Sequence, residues 1–155
     1  MPCNTLQLSN EDRALRLGRR DAITALESAI RGDPAEIPPE SCPVEHFWAD
    51  GSYGRQITMP EGTLVVGKVH RHSHVNVISK GHCLVYTEQD GVKELVAPCT
   101  FVSHPYTKRV VYNIEETVWT TVHVTNATTE QEVEAEVIAS DGELECRGLQ
   151  QVLLP

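Results

Sequence analysis

From residue 44 onward the chain is a succession of short runs of Val, Ile, Thr and aromatic residues. Turn signals at Glu61-Gly62, Lys80-Gly81 and Asp90-Gly91 and around Pro105 divide them. No helical periodicity separates one run from the next, and this pattern constrains the fold more than any other feature. Regularly spaced strands without intervening helices predict an antiparallel sandwich or barrel. The expected strands are Glu45 to Trp48, Arg55 to Met59, Thr63 to His70, His74 to Ser79, His82 to Thr87, Lys93 to Pro98, Thr100 to Ser103, Arg109 to Ile114 and Val118 to Thr125. The segment Thr129 to Ala139 is ambiguous: Thr129 with Glu132 resembles a capping box, while Val133, Ala135 and Val137 alternate as in a strand. A short helix is preferred there.

Before the strands, Ser9 or Asn10 can cap a helix with Glu11 and Asp12 in its first turn, ended by Arg31-Gly32-Asp33-Pro34. Ile23, Leu26 and Ile30 share one face of it. Its four arginines, Arg13, Arg16, Arg19 and Arg20, alternate with Glu11, Asp12, Asp21 and Glu27. A surface helix packed on the β-structure or on a neighbouring subunit is therefore preferred to a phosphate-binding stripe. Pro34, Pro38, Pro39 and Pro43 mark an extended linker. The expected organisation is a helix over 1–31, a linker over 32–43, β-structure over 44–139 and a tail over 140–155, in which Val152-Leu153-Leu154 can dock on an apolar surface.

A chain of 155 residues, 40% hydrophobic, suffices for one well-buried core and is short for two domains. No apolar run has bilayer-spanning length, and Met1-Pro2-Cys3-Asn4-Thr5 lacks the features of a signal peptide. The expectation is a cytoplasmic protein with no membrane partner. Cys3, Cys42, Cys83, Cys99 and Cys146 are scattered and form no C-x-x-C pair, so they read as reduced thiols. The net charge of -9 argues against nucleic acid as a partner. From Glu115 onward the only base is Arg147, which makes the C-terminal extension a solvated acidic surface.

Chemistry is concentrated in Val69-His70-Arg71-His72-Ser73-His74. Imidazole is the commonest metal ligand. On a straight strand, however, His70 and His74 would lie about 13 Å apart, whereas ligating nitrogens lie within roughly 2.1 Å of a zinc ion. If Arg71-His72-Ser73 instead forms a tight connection, the two histidines become neighbours and can converge on one ion, with His72 joining them or pointing away.

The run from Met59-Pro60-Glu61-Gly62 through Gly67-Lys68-Val69-His70-Arg71-His72-Ser73-His74 to Gly81 resembles the first motif of the cupins. His104-Pro105-Tyr106-Thr107-Lys108-Arg109 echoes the second. The segment Val44 to Ile138 further resembles uncharacterised cupin-like proteins of tailed phages. The resemblance implies a mainly β protein with a cupin-type jelly-roll β-barrel, an N-terminal helix and an acidic C-terminal extension, and homo-oligomers are common in that family. Many cupins hold Mn, Fe, Zn or Ni and act as dioxygenases, isomerases or decarboxylases, while others bind ligands without catalysis. Here His74 occupies the usual position of the motif Glu, Arg109 that of the second-motif His, and Tyr106 that of the Gly.

His123 offers a replacement ligand: Trp119, Thr121, His123 and Thr125 share one strand face, and if that face is inward His123 enters the same cavity as His70 and His74. The candidate metal ligands are thus His70, His72, His74 and His123, and the candidate ligand-binding residues are Arg109, Asn76 and Thr121. Three neutral imidazoles suit Zn, Fe or Ni with an open coordination position; a metal-free polar network is the alternative. Arg109 facing inward would meet a carboxylate or phosphate, and facing outward it would pair with Glu115 or Glu116, the reading preferred here. Trp119, Tyr112 and Phe101 read as core; His46, His82 and His104 read as ordinary surface or turn residues. The function expected is binding of a divalent metal and a small polar or anionic ligand, with possible metal-dependent catalysis. A non-catalytic virion or interaction component is the alternative.

Overall fold

The computed structural model describes residues 8–144. In chain order the elements are α1 (Asn10–Ile30), β1 (Val44–Ala49), β2 (Ser52–Met59), β3 (Leu64–Val66), β4 (His74–Lys80), β5 (His82–Thr87), β6 (Gly91–Val96), β7 (Cys99–Ser103), β8 (Arg109–Asn113), β9 (Thr117–Val124) and α2 (Glu130–Val137). Two antiparallel sheets form, ordered β1-β2-β9-β4-β7 and β3-β8-β5-β6. The pairs β2 with β9, β3 with β8, β4 with β7 and β5 with β6 are nested about the β5–β6 hairpin. One long hairpin has thus been rolled into two layers, which is the topology of a jelly roll. β1 is added to the outer edge of β2. Among the described residues no ladder joins the two sheets, so the expected jelly-roll β-barrel is an open one of two layers.

Side-chain alternation gives the five-stranded sheet a graded inner face. Ile57, Trp119, Ile78 and Cys99 form one cross-strand row, and Arg55, Thr121, Asn76 and Phe101 the next. Beyond these lie Tyr53 opposite His123, and His74 opposite Ser103. The apolar end packs with Met59, Cys83, Val85 and Val111 as the main core. The polar end is closed by α2, whose Val133 and Val137 bury against Tyr53.

Three departures from the sequence reading have local causes. The strand expected over Thr63 to His70 is only Leu64–Val66. Beyond it, the Val69 carbonyl accepts from Ala139 N (2.9 Å) and the His70 carbonyl from Tyr106 N (2.8 Å), while His70 forms an isolated bridge with Ile138. Backbone groups there find partners outside the sheet. Tyr112 lies on an outward face, 43% exposed, and not in the core. In α1 only Ile23 is buried; Leu26 of the expected apolar face is 37% exposed. The helix is held instead by Arg19 donating to the Gln89 carbonyl (3.1 Å), an Arg20–Glu88 ion pair (3.3 Å) and a Lys108–Glu27 ion pair. Both helix starts follow the sequence signals. The Ser9 side chain accepts from Asp12 N (3.1 Å), and the Thr129 hydroxyl accepts from Glu132 N (3.3 Å). The Glu132 carboxylate returns to Thr128 N (2.9 Å), one residue earlier than in an ideal capping box.

Of the tail, only residues up to 144 are described, and Glu143 is anchored there by Arg71 (2.8 Å) and the Tyr106 hydroxyl (2.8 Å). Val152-Leu153-Leu154 lie outside the described residues.

Candidate functional site

A cavity of about 490 Å³ opens at the polar end of the inner faces, under α2. His70, His74 and His123 meet in its wall, with ring centres 4.4, 4.8 and 5.1 Å apart. They come from three places: the connection before β4, the first residue of β4, and β9. The bend at Arg71-His72-Ser73 brings His70 back over His74, although His70 pairs with Ile138 and not with β4. Arg71 fixes the bend, donating to the Ala135 (2.6 Å) and Glu136 (3.0 Å) carbonyls at the end of α2. A cation at a helix C-terminus also favours the local dipole.

All three imidazoles are held in their neutral form. Burial is the first cause at each. With the neighbouring histidines and Arg109 and Arg55 adding to it, His70 is pushed down to about 2. His123 is pushed down to about 4 by burial and by His74 and His72. At His74 the downward push of burial is opposed by a hydrogen bond to the His72 carbonyl, 3.3 Å from Nδ1. His74 Nε2 is buried without a partner. Three imidazoles bound to one zinc at about 2.0–2.1 Å have ring centres roughly 5 Å apart, which the observed spacing matches. Among the described residues, however, no group of three or more His, Cys, Asp or Glu side chains is placed so that it could hold a metal ion.

The other candidates are distributed unequally. His72 is exposed in the bend and turns only its carbonyl to His74. Thr121 lines the cavity. Asn76 does not: it is fully buried, donating to Ser103 Oγ (2.8 Å) and to the His74 carbonyl (3.2 Å) and accepting from Trp119 Nε1 (3.0 Å). It braces the wall behind His74. Arg109 faces inward, which corrects the surface pairing preferred from the sequence. It shares a strand face with Val111 and Asn113, whereas Glu116 pairs with Lys80 (2.7 Å). Its guanidinium donates to Ser103 Oγ and lies over Trp119 at 5.6 Å, and burial pushes its pKa down to about 10.

Several lining residues escaped the sequence reading. His46 is in the wall, its Nδ1 2.6 Å from the Tyr53 hydroxyl and its Nε2 3.2 Å from Glu130. Tyr53 stacks toward His123 at 6.5 Å. Arg55 and Lys68 complete the basic lining, Lys68 paired with Glu134 of α2. Alternation from Val44 to His46, and from Tyr53 to Arg55 and Ile57, was visible in the sequence. Which face of each strand turned inward was not.

The structure of ectoine synthase from P. lautus is similar, with a TM-score of 0.52 at 13% identity, covering 74% of this chain and 91% of that one. KdgF from Halomonas sp. aligns with a TM-score of 0.48 at 13% identity, over 58% and 84% of the respective chains. An RmlC-like cupin family protein with a double-stranded β-helix fold from Methanocaldococcus jannaschii aligns at 0.47 and 16%, over 57% and 86%. No family model and no curated protein matches the sequence. The nested strand pairs define the fold as a jelly roll, and the likeness to the ectoine synthase structure agrees with that fold. At such identity that likeness speaks to the fold alone.

Proposed function

We propose that this protein is a small cupin, of the kind its sequence resembles in tailed phages, that binds a divalent metal and a small polar or anionic ligand in the cavity beneath α2. The observation that carries the reading is the meeting of three neutral imidazoles from the bend, β4 and β9, His74 and His123 buried and His70 partly buried, with His74 Nε2 lacking any hydrogen-bond partner. A buried polar atom left unbonded costs about 1–3 kcal/mol, and a coordinated ion removes that cost. His70, His74 and His123 would hold the ion after rotating about their side-chain torsions. Neutral nitrogen donors of this kind suit Zn, Fe or Ni, and Mn remains in the set implied by the resemblance. Such a metal, when bound, supplies Lewis-acid chemistry or activates water or dioxygen. Around it, Thr121 and Tyr53 offer hydroxyls and α2 limits the entry of water.

Elemental analysis of protein purified without a His-tag or chelator tests this reading. About one Zn, Fe, Mn or Ni per chain is expected, with uptake lost in His74→Ala while the far-ultraviolet circular dichroism is kept. Absence of metal, together with no uptake on titration with Zn or Ni, would overturn it.

A non-catalytic scaffold is favoured by a different observation. Phe47, Gly54, Val122, Val75 and Val102 are cross-strand neighbours on the outer face of the five-stranded sheet, and the four side chains are 38–59% exposed. A second copy of the chain is the occupant proposed for this apolar row. Light scattering coupled to gel filtration should then give a dimer that Val75→Lys dissociates; a monomer at all concentrations would count against it.

A further inference from the structure

We propose that the cavity takes a small organic acid, with its carboxylate held by the Arg109 guanidinium and its apolar body against Trp119, Ile57, Met59 and Val111. The inference rests on the small-ligand half of the function proposed above and not on its metal.

The argument starts from pairing. Three partly buried cations elsewhere are matched by acids, Arg20 to Glu88 (3.3 Å), Arg71 to Glu143 (2.8 Å) and Lys108 to Glu27, and Arg19 is matched by the Glu88 and Gln89 carbonyls. Among the described residues Arg109 has no carboxylate partner. A shortage of acids is not the cause, since the chain has 22 acidic against 13 basic residues. A charge withdrawn from water is costly unless paired, so an inward guanidinium without a counter-charge is a site for an anion.

Its setting selects among anions. Gly67 leaves room for the arginine stem to cross the backbone: a Cβ there would meet Arg109 Cγ at 3.2 Å. Ser103 occupies one Nη2 hydrogen-bond direction and Trp119 one flat face, so the rest of the planar fork is open to bidentate contact. One guanidinium in the wall calls for one negative charge. Ile57, Met59, Val111 and Trp119 line the same cavity and suit an apolar body. A cavity of about 490 Å³ is in the range of small-molecule sites.

Calorimetric titration of the full chain in EDTA, with hexanoate and benzoate against their neutral amides, tests this. The acids should bind at least tenfold more tightly than the amides. Arg109→Gln should bring the two to parity, and Arg109→Lys should keep the preference at reduced affinity, because an ammonium lacks the fork. Lys93→Gln, paired with Asp90 away from the cavity, should change nothing. Equal binding of acid and amide, no binding of either, or a preference that survives Arg109→Gln would overturn the proposal, as would tighter binding of inorganic phosphate. Loss of the metal reading shows separately, as failed metal uptake with the acid preference intact.

Discussion

Each histidine of the cluster is harder to protonate in the folded protein than in the unfolded chain, where an imidazole titrates near 6.5. The unfolded state therefore binds more protons at mildly acidic pH. Stability is complete above about 6.5 and is lost as pH falls, through about 4 for His123 and on toward about 2 for His70. Each excluded proton contributes a slope of about 1.4 kcal/mol per pH unit in that window. Urea midpoints measured in EDTA from pH 7.5 to 5 should fall, and His123→Asn should flatten the fall; parallel curves would mean that His123 is not held neutral. Gly81 makes a second single-residue prediction. It has φ of +100°, and a Cβ would lie 2.4 Å from the Glu116 carbonyl oxygen and 2.7 Å from Thr117 Cα. Gly81→Ala combines an unfavourable backbone region with a backbone clash, and should cost about 3 kcal/mol or more in equilibrium unfolding.

At the scale of elements, α2 joins the fold to the site. It covers the cavity with Val133 and Val137, and its last carbonyls receive Arg71 from the bend that carries His70 and His74. Arg71→Ala removes these charge-assisted bonds and the pairing with Glu143, for a loss of about 1.5–3 kcal/mol. Hydrogen exchange should then accelerate together in 69–74 and 130–138; acceleration in α2 alone would show that the bend stands without it. Thr129→Ala acts at the other end of the same helix and should cost about 1 kcal/mol through loss of the cap. α1 differs in kind, being attached by Arg19, Arg20 and Glu27 around the single buried Ile23.

For the whole molecule, occupancy of the three-histidine site would act as a ligand on the folding equilibrium. Zinc or nickel at a hundred times its dissociation constant adds about 2.7 kcal/mol, a rise in Tm of roughly 5–10 °C for a chain of this size. His74→Ala should remove the rise, and an undiminished shift would place the ion elsewhere. Among the described residues no helix is long and apolar enough to cross a membrane. The sequence by itself determined the mainly β character, the places where both helices start and the set of residues that share one face of β9, because strand alternation and capping are written in residues close together in the chain. The same local reasoning showed that His70 and His74 can share an ion only if the chain bends between them. Tertiary structure alone decided that it bends there, that Arg109 turns inward away from Glu116, and that His46 and Tyr53 enter the cavity. Which face of a strand is buried, and what stands opposite it, depends on the nested pairing of segments up to about 70 residues apart, such as Tyr53 with His123. No local pattern encodes that pairing, and the site is built from it.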